Sequence, residues 1–245
     1  MNINFRQSNI NFEKGEVILG GAGPGSLKLI SLKLKYVLQK ADIIIFDALV
    51  NKELLYLSNK KAKLIYAGKL KKKKSCTQSQ INQWLVNYAK NNKRVLRLKG
   101  GDISFFSRGS QEIEYLKKNN IPFRIFSGIT SSQTSVKETV GSFFNSSGLC
   151  NLITGHKKIN EDTKFDINYD FLRKTRGRII IYMGVSQIKE IASNLLNHGL
   201  TKNEKVSIVT NSSLSSQQIY FTKLYECPEF IKNNGITSPA IIIIG

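Results

Sequence analysis

An apolar strand that runs directly into a glycine turn occurs twice in this chain. One copy is Val95-Leu-Arg-Leu-Lys-Gly-Gly-Asp102, and the other is Gly20-Gly-Ala-Gly-Pro-Gly25, which follows the strand predicted at Glu16–Leu19. Because glycine has no Cβ atom, backbone N–H and C=O groups in such turns can approach a ligand closely. Asp102, which ends the turn at Gly100–Asp102, can also bond a polar or cationic ligand. Two such turns indicate a nucleotide-like ligand held largely by backbone, and they favour an enzyme over a scaffold.

The first half of the chain predicts alternating strands and helices. After the strand at Glu16–Leu19, strands are predicted at Ile43–Phe46, Lys63–Tyr66, Val95–Leu98 and Phe123–Phe126, and helices at Ser31–Lys40, Thr77–Asn91 and Ser110–Asn119. Short continuous apolar runs are typical of strands buried on both faces. The alternation therefore predicts a mainly parallel sheet covered by helices.

A second, smaller α/β unit is predicted in the rest of the chain. Its strands are expected at Leu149–Thr154, Arg178–Met183, Val206–Val209 and Ala240–Ile244, and its helices near Ser186–Asn197 and Glu229–Asn234. The segment 127–148 is rich in Ser, Thr and Gly, and it predicts a loop and small-residue helix that join the halves. The sequence thus predicts an α/β protein with two α/β domains, residues 15–148 and 149–245, with mainly parallel or mixed sheets. Residues 1–14 are expected to form a disordered extension.

The chain is strongly basic: 37 Lys and Arg against 17 Asp and Glu give its 245 residues a net charge of +20. A cationic surface attracts polyanions, including nucleic acids, anionic membranes and polycarboxylate metabolites. Composition is the alternative explanation, since Lys, Asn and Ile are frequent throughout. The run Lys71-Lys-Lys-Lys74 is either a solvated loop or a clamp beside an anionic substrate. No nucleic-acid-binding module or aromatic–basic platform is recognisable, so we expect no nucleic-acid partner.

Membrane insertion, export and metal binding are not expected. No apolar run reaches the roughly 18–20 residues that a membrane span needs. Residues 1–14 are polar and lack the features of a signal peptide, so we expect a cytoplasmic protein. Cys76, Cys150 and Cys227 are widely spaced and form neither a disulfide framework nor a metal pattern. With only His156 and His198 besides, we expect reduced thiols and no metal.

The common nucleotide and hydrolase motifs are absent from the sequence. Gly21-Ala-Gly-Pro-Gly25 does not fit the dinucleotide pattern, which requires glycine at the position of Ser26. Gly68-Lys69 is followed by Leu70 and lacks the upstream glycine of a phosphate-binding loop. No Gly-x-Ser-x-Gly elbow occurs. These absences make a kinase, a common dehydrogenase or a serine hydrolase a poor interpretation.

Ten short motifs match the order and spacing of one enzyme family from about Glu16 to the last residue. They are Gly20-Gly-Ala-Gly-Pro-Gly25, Ala41-Asp-Ile-Ile-Ile-Phe-Asp-Ala-Leu-Val50, Ala67-Gly-Lys69, Gln78-Ser-Gln-Ile-Asn82, Arg97-Leu-Lys-Gly-Gly-Asp102, Ser107-Arg-Gly109, Gly128-Ile-Thr130, Thr154-Gly-His156, Tyr182-Met-Gly184 and Ser238-Pro-Ala-Ile-Ile-Ile-Ile-Gly245. On these motifs the chain resembles the uroporphyrinogen-III C-methyltransferases, a family of tetrapyrrole methylases that use S-adenosylmethionine.

The resemblance implies a two-domain α/β fold with the active site in the cleft between the halves, and a homodimer. It also implies two methyl transfers from S-adenosylmethionine, to C2 and C7 of uroporphyrinogen III, giving precorrin-2 for sirohaem and cobalamin synthesis. By resemblance, the methyl-donor pocket is lined by Pro24, Gly100, Gly101, Asp102, Phe105, Thr130, Ser131, Met183 and Ser212.

Asp47 and Lys69 match the family's proposed proton acceptor and proton donor. Methyl transfer from a sulfonium is an in-line displacement, so the protein mainly has to align the reactants and exclude water. A carboxylate near the ring can stabilise the cationic intermediate or take its proton. Asp47 directly follows a buried strand, where it suits that role or caps a following helix. Lys69 either pairs with Asp47, binds a propionate or is a surface lysine.

Two further residues are candidates for binding the substrate. Uroporphyrinogen carries eight carboxylates, and arginine is suited to bidentate carboxylate contacts. Arg108 lies in the turn after the second glycine loop, and it is predicted to bind the substrate or to support the loop. His156 ends a predicted strand, and it is predicted to contact the substrate or to bond the backbone.

The departures from the family pattern fall mostly on the substrate side. Ser142-Phe-Phe-Asn-Ser-Ser147 stands where the family has Pro-Leu-Thr-His-Arg, whose His and Arg are expected near the substrate. Ser26 and Ile103 also replace an Asp and a Pro of the glycine loops. The alternatives are a methylase of a later precorrin, a non-catalytic member of the family, or a basic nucleic-acid-binding protein. The strings Asp-Ala-Leu-Val and Leu-Lys-Gly-Gly-Asp favour the uroporphyrinogen enzyme.

Overall fold

The computed structural model describes residues 11–68, 76–156 and 167–245. Contacts between Cα atoms divide the chain into a first unit that ends at Ile129 and a second unit from Thr130 to Gly245. Each unit is built on a five-stranded sheet. Within the described ranges, none of the helices has the length and apolar character needed to cross a membrane.

The first unit contains an all-parallel sheet with strand order β3-β2-β4-β1-β5. Its strands are β1 (Val17–Gly21), β2 (Ile43–Phe46), β3 (Lys63–Tyr66), β4 (Val95–Lys99) and β5 (Phe123–Phe126). Strands β1, β2 and β4 are buried along their whole length. Burial on both faces explains why these strands form the centre of the sheet, and the parallel arrangement predicted for this half is confirmed.

Helices cover both faces of the first sheet. They are α1 (Leu32–Lys40), α2 (Gln78–Lys90) and α3 (Gly109–Lys118). Ser31 and Thr77 begin α1 and α2 by accepting hydrogen bonds from backbone N–H groups of the first turn, which is the preferred role of these residue types at a helix start. One core cluster joins α1 to one face of the sheet, and a second joins α2 and α3 to the other.

The second unit contains a mixed sheet with strand order β6-β7-β10-β8-β9. Its strands are β6 (Cys150–Thr154), β7 (Arg178–Tyr182), β8 (Lys205–Thr210), β9 (Gln218–Lys223) and β10 (Ala240–Ile244). Only the β6–β7 pair is parallel, whereas β10 runs antiparallel to both β7 and β8. The helices are α4 (Ser131–Thr139), α5 (Tyr169–Thr175), α6 (Ile188–Asn197) and α7 (Cys227–Asn233).

The structure differs from the sequence prediction in where the division between the units falls and in two further elements. The contacts divide the chain at Ile129, before the small-residue segment, and not after it at residue 148. The reason is that α4 packs on β10 of the second sheet. Strand β9 and helix α5 were not predicted, because β9 is a half-exposed edge strand and α5 is only seven residues long.

The start of the described chain also differs from the prediction of a disordered extension over residues 1–14. Residues 1–10 of that extension lie outside the described residues. Phe12 is buried in a core cluster of the first unit. Its carbonyl accepts a hydrogen bond from Arg94 Nε at 2.9 Å. Burial of an aromatic ring therefore fixes this part of the chain against the sheet.

Candidate functional site

The carboxyl ends of the parallel strands bring the two glycine turns together at one edge of the first sheet. Parallel strands end on the same side, which is where open α/β sheets bind ligands. The turns bond each other directly: Gly101 N donates to Gly23 O at 2.7 Å, and Gly23 N donates to Gly101 O at 3.1 Å. Ala22 N also donates to Lys99 O at 2.7 Å. The loops after β1 and β4 therefore form one bonded layer.

Close backbone contact at this edge leaves no room for side chains at two glycines. A Cβ atom built on Gly21 would lie 2.6 Å from the nitrogen of Gly128 and 2.7 Å from the carbonyl oxygen of Gly101. A Cβ built on Gly128 would collide with the same carbonyl oxygen of Gly101. Gly101 itself has a left-handed φ of +69° and open space where a Cβ would stand. Conformation, and not space, therefore requires glycine at that position.

The carboxylate of Asp102 ties this layer to the loop after β5. Its Oδ2 accepts a hydrogen bond from Gly128 N at 2.7 Å, and its Oδ1 accepts one from Ser104 N at 2.8 Å. The hydroxyl of Ser104 also donates to Oδ1. Asp102 is 7% exposed. The predicted donor-binding acid thus bonds the protein with both oxygens and fixes the shape of the glycine loop.

The other predicted residues of this edge are at least partly accessible. Pro24 and Gly100 are half-buried within the two turns, and Phe105 is half-buried in the segment after Asp102. Arg108 is exposed and directly precedes α3. Exposure leaves its guanidinium accessible to an anion, as its predicted role in binding substrate requires.

Asp47 belongs to a network of four charged side chains, which we call the buried charge network: Asp47, Arg97, Lys99 and Glu112. Arg97 Nη2 donates to Asp47 Oδ1 at 2.6 Å, and Lys99 Nζ lies 3.4 Å from Asp47 Oδ2. On the other side, Glu112 Oε1 lies 3.0 Å from Arg97 Nε and 3.3 Å from Lys99 Nζ. Side-chain exposure is 1% for Arg97 and 0% for Glu112 but 29% for Asp47. Asp47 is therefore the most accessible member of the network.

Strand register explains how the buried charge network forms. Side chains alternate along a strand, so Arg97 and Lys99 share one face of β4. Ile45 of β2 pairs with Arg97, which places Asp47, two residues later, beside Lys99. Burial by itself lowers the pKa of Arg97, but attraction to Glu112 and Asp47 outweighs it, and the pKa of Arg97 is raised above its usual value. The guanidinium is held here as a cation.

The alternative that Asp47 caps a helix is not what the structure shows. The short 3-10 helix Lys52–Leu57 is capped by Asn51, whose Oδ1 accepts from Glu53 N at 3.0 Å. Lys69, the predicted proton donor, lies outside the described residues, as does the run 71–74. The cations that the structure places on Asp47 are Arg97 and Lys99.

In the second unit, hydroxyl groups join α4 to the ends of the strands. Tyr182, the last residue of β7, bonds Thr130 Oγ1 at 2.7 Å and Ser132 Oγ at 2.6 Å through its hydroxyl. Ser212, just after β8, bonds Thr134 Oγ1 at 2.7 Å and accepts from Ser135 Oγ at 3.2 Å. These contacts hold the predicted residues Thr130 and Ser212 in a fixed framework, and Ser131 is half-buried beside them.

Three residues with left-handed backbone also follow the strands of the second sheet. Met183 has φ of 53°, Asn211 of 49° and Ser213 of 68°. Such conformations are unfavourable for residues other than glycine, and they cluster at functional sites when the surrounding structure enforces them. Met183 is 43% exposed and directly follows β7. His156 is exposed and follows β6, with its backbone N donating to Thr154 Oγ1 at 3.2 Å.

Sequence reasoning missed Arg97, Lys99 and Glu112 as members of the site. The available signal was the pair of cations at alternate positions in an otherwise apolar strand, since buried cations require carboxylate partners. Within the three described ranges, no group of three or more His, Cys, Asp or Glu side chains could hold a metal ion.

The fold and this edge together define a ligand-binding α/β protein whose first sheet presents backbone-rich loops at its carboxyl ends. Across residues 16–228 the chain matches the family model of the tetrapyrrole (corrin/porphyrin) methylases. It belongs to this family of methyltransferases.

Sequence similarity to curated siroheme synthases supports this assignment. The chain is 37% identical over 236 residues to the siroheme synthase of Methylobacillus flagellatus, covering 94% of this chain and 49% of that protein. It is 36% identical over 236 residues to the siroheme synthase of Ruthia magnifica, with the same two coverages, 94% and 49%. The chain thus spans about half the length of the curated relatives it matches.

A solved structure with the same fold comes from Thermus thermophilus. It is the uroporphyrin-III C-methyltransferase complexed with S-adenosyl homocysteine, with a TM-score of 0.76 and 27% identity, covering 94% of this chain and 92% of that one. A cobalt precorrin-4 methyltransferase shares the fold with a TM-score of 0.83 at 19% identity, covering 94% of this chain and 95% of that one.

Proposed function

We propose that this protein uses S-adenosylmethionine to methylate uroporphyrinogen III at C2 and C7, giving precorrin-2 for sirohaem or cobalamin synthesis, and that it acts as a homodimer. Family membership and the ten matching motifs support this proposal. The Thermus relative, which is named for uroporphyrin III and was solved with S-adenosyl homocysteine, also supports it.

The open space beside the backbone turn at Gly100–Gly101 is the main observation in favour of methyl-donor binding. Apart from Gly101 itself and its two chain neighbours, no residue in the described part of the chain has an atom within 4 Å of the place where a Cβ of Gly101 would stand. The carboxylate of Asp102 is directed to Gly128 and Ser104, so the loop presents backbone to this open space. Such a surface fits a donor with amino-acid and nucleoside groups. When bound, S-adenosylmethionine supplies an activated methyl group on its sulfonium.

Asp47 carries the acceptor side of the proposal. A reduced pyrrole is electron-rich enough to act as the nucleophile, and its methylation leaves a cationic ring that must later lose a proton. Asp47 is 29% exposed and is held by Arg97 and Lys99. We propose that this oriented carboxylate stabilises the cation or accepts its proton. By resemblance, we also propose Lys69 as proton donor and Thr130, Ser131, Met183 and Ser212 as lining of the donor pocket. Arg108 and His156 are proposed to contact the substrate, Arg108 because arginine suits carboxylates.

The test is an anaerobic incubation of the protein with uroporphyrinogen III and S-adenosylmethionine, followed by mass spectrometry. We expect a gain of two methyl groups. Asp47→Asn should lower the rate about 100-fold or more while keeping affinity for S-adenosylhomocysteine measured by calorimetry. Asp102→Ala should weaken that affinity about tenfold or more, because Gly128 N–H loses its acceptor.

Asp42→Asn is the matched control, because it makes the same chemical change at the amino end of β2. It should leave both the rate and the affinity near those of the parent protein. Donor binding without methylation would overturn uroporphyrinogen III as the substrate and favour a later precorrin. No donor binding would indicate a non-catalytic member of the family.

A further inference from the structure

The accessible carboxylate of Asp47 is held in position by the buried members of the charge network. Arg97 uses all three of its guanidinium nitrogens: Nε donates to Glu112, Nη2 to Asp47, and Nη1 to the carbonyl oxygens of Ile45 at 3.3 Å and Leu98 at 3.4 Å. A planar fork with four acceptors has little freedom to rotate. The position of Asp47 Oδ1 is therefore determined by where the guanidinium of Arg97 is held.

Glu112 in turn determines where Arg97 is held. Its Oε1 accepts from Arg97 Nε at 3.0 Å, from Lys99 Nζ at 3.3 Å and from Gln78 Nε2 at 3.3 Å. Its Oε2 has no hydrogen-bond partner among residues 11–68, 76–156 and 167–245. A single oxygen of Glu112 thus accepts three hydrogen bonds and fixes the positions of the three donors relative to one another.

Stability alone does not explain this arrangement. Removing ions from water is unfavourable, and an apolar pair of similar size commonly gives equal or greater stability than a buried ion pair. Two cations and two carboxylates balance in charge here, yet three of the four side chains are at most 6% exposed. A buried network that ends in one accessible carboxylate suits the orientation of that carboxylate.

We propose that Arg97 and Glu112 are positioning residues for methyl transfer: Glu112 orients the guanidinium of Arg97, and Arg97 orients Asp47. This inference rests on the role proposed for Asp47 in the reaction. Neither residue needs to touch the substrate, because misplacement of an aligned group by about 1 Å is enough to lower a rate about 100-fold.

The main test is the double variant Arg97→Met/Glu112→Met, which removes one charge of each sign and leaves Lys99 paired with Asp47. We expect a melting temperature close to that of the parent protein and an unchanged affinity for S-adenosylhomocysteine. The kcat for methylation of uroporphyrinogen III should fall about 10- to 100-fold, with a much smaller change in KM.

Glu112→Gln should have the opposite effects on melting temperature and kcat. It keeps an oxygen for Arg97 Nε but leaves one uncompensated buried cation. We expect a lower melting temperature but a kcat within about fivefold of the parent, since the orientation of the guanidinium is kept. A purely structural network would make kcat follow stability in both variants. Arg97→Lys adds a third variant, which keeps the charge but loses the fork, and its kcat should fall about tenfold or more.

The ion pair at the other end of the same two strands is the matched control. Arg94 and Asp42 precede β4 and β2, 3.9 Å apart, with each side chain 33% exposed. Arg94→Met/Asp42→Asn should keep the parental kcat. A folded Arg97→Met/Glu112→Met protein with kcat within threefold of the parent, or an unchanged kcat in Arg97→Lys, would overturn the inference. An inactive parent protein would instead overturn the proposed function. The activity of the parent protein therefore distinguishes failure of the inference from failure of the proposed function.

Discussion

The carboxyl edge of the first sheet and the corresponding edge of the second are built from different chemistry. In the first, Gly21 and Gly128 let backbone touch backbone, and charges bond beneath the surface. In the second, hydroxyl groups such as that of Tyr182 bond side chain to side chain, and non-glycine residues such as Met183 adopt left-handed backbone. The first edge requires glycines, which have no side chain, whereas the second edge requires side chains that carry hydroxyl groups. Substitutions should therefore affect the two edges in different ways.

The largest effect is expected at Gly128, where added volume meets backbone. Gly128→Ala should lower the free energy of unfolding by about 3 kcal/mol, because its Cβ would collide with the carbonyl oxygen of Gly101 and neither backbone can yield easily. Gly101→Ala is the matched control: the space is open, and only the left-handed φ opposes the change, so about 1 kcal/mol is expected. Urea denaturation measures both variants. Equal losses would contradict the account of the glycine layer.

A smaller effect is expected where the second edge loses a hydroxyl group. Tyr182→Phe removes the bonds to Thr130 and Ser132 while keeping the ring, so the free energy of unfolding should fall by about 2 kcal/mol. Tyr220→Phe is the control, because the Tyr220 hydroxyl donates to the nearby Gln218 at an exposed site of the edge strand. That variant should change stability by less than about 0.5 kcal/mol. Similar effects in the two variants would show that the hydroxyl framework is not special.

The smallest effect is a pH dependence carried by the core of the second unit. Burial raises the pKa of Cys227 to about 12. The unfolded chain therefore releases this proton at lower pH than the folded protein does, and stability should fall as the pH rises above the ordinary thiol value. We expect a loss of about 1 kcal/mol by pH 10. The difference in unfolding free energy between the parent protein and Cys227→Ala, followed from pH 8 to pH 10, measures this term, and a constant difference would contradict it.

Local patterns in the sequence predicted most of the first unit. The apolar run Ile43–Phe46 has the bounds predicted for it, because continuous burial leaves few alternatives. Phe123–Phe126 also has its predicted bounds, although it is only partly buried. The sequence also identified the two glycine turns that follow apolar strands, but not the hydrogen bonds that join them to each other. The sequence could not show that Asp102 bonds Gly128, because that contact joins residues far apart in the chain.

The contacts that were missed all depend on register or on side chains that meet only after folding. The attachment of α4 to the second sheet uses hydroxyls of small residues, which carry no hydrophobic period and resemble a linker. The position of Glu112 behind Arg97 requires the packing of α3 on β4, which no local pattern specifies. Strand β9 is a half-exposed edge strand whose residues, Gln218–Lys223, alternate only weakly between polar and apolar.

The most direct test of the proposed function is the position of the transferred methyl groups. The protein is incubated without oxygen with uroporphyrinogen III and S-adenosylmethionine labelled with ¹³C in its methyl group, and the tetrapyrrole product is examined by NMR. We predict two enriched methyl signals on ring carbons, assigned to C2 and C7. No enrichment, or label on nitrogen, oxygen or other ring carbons, would contradict the proposal.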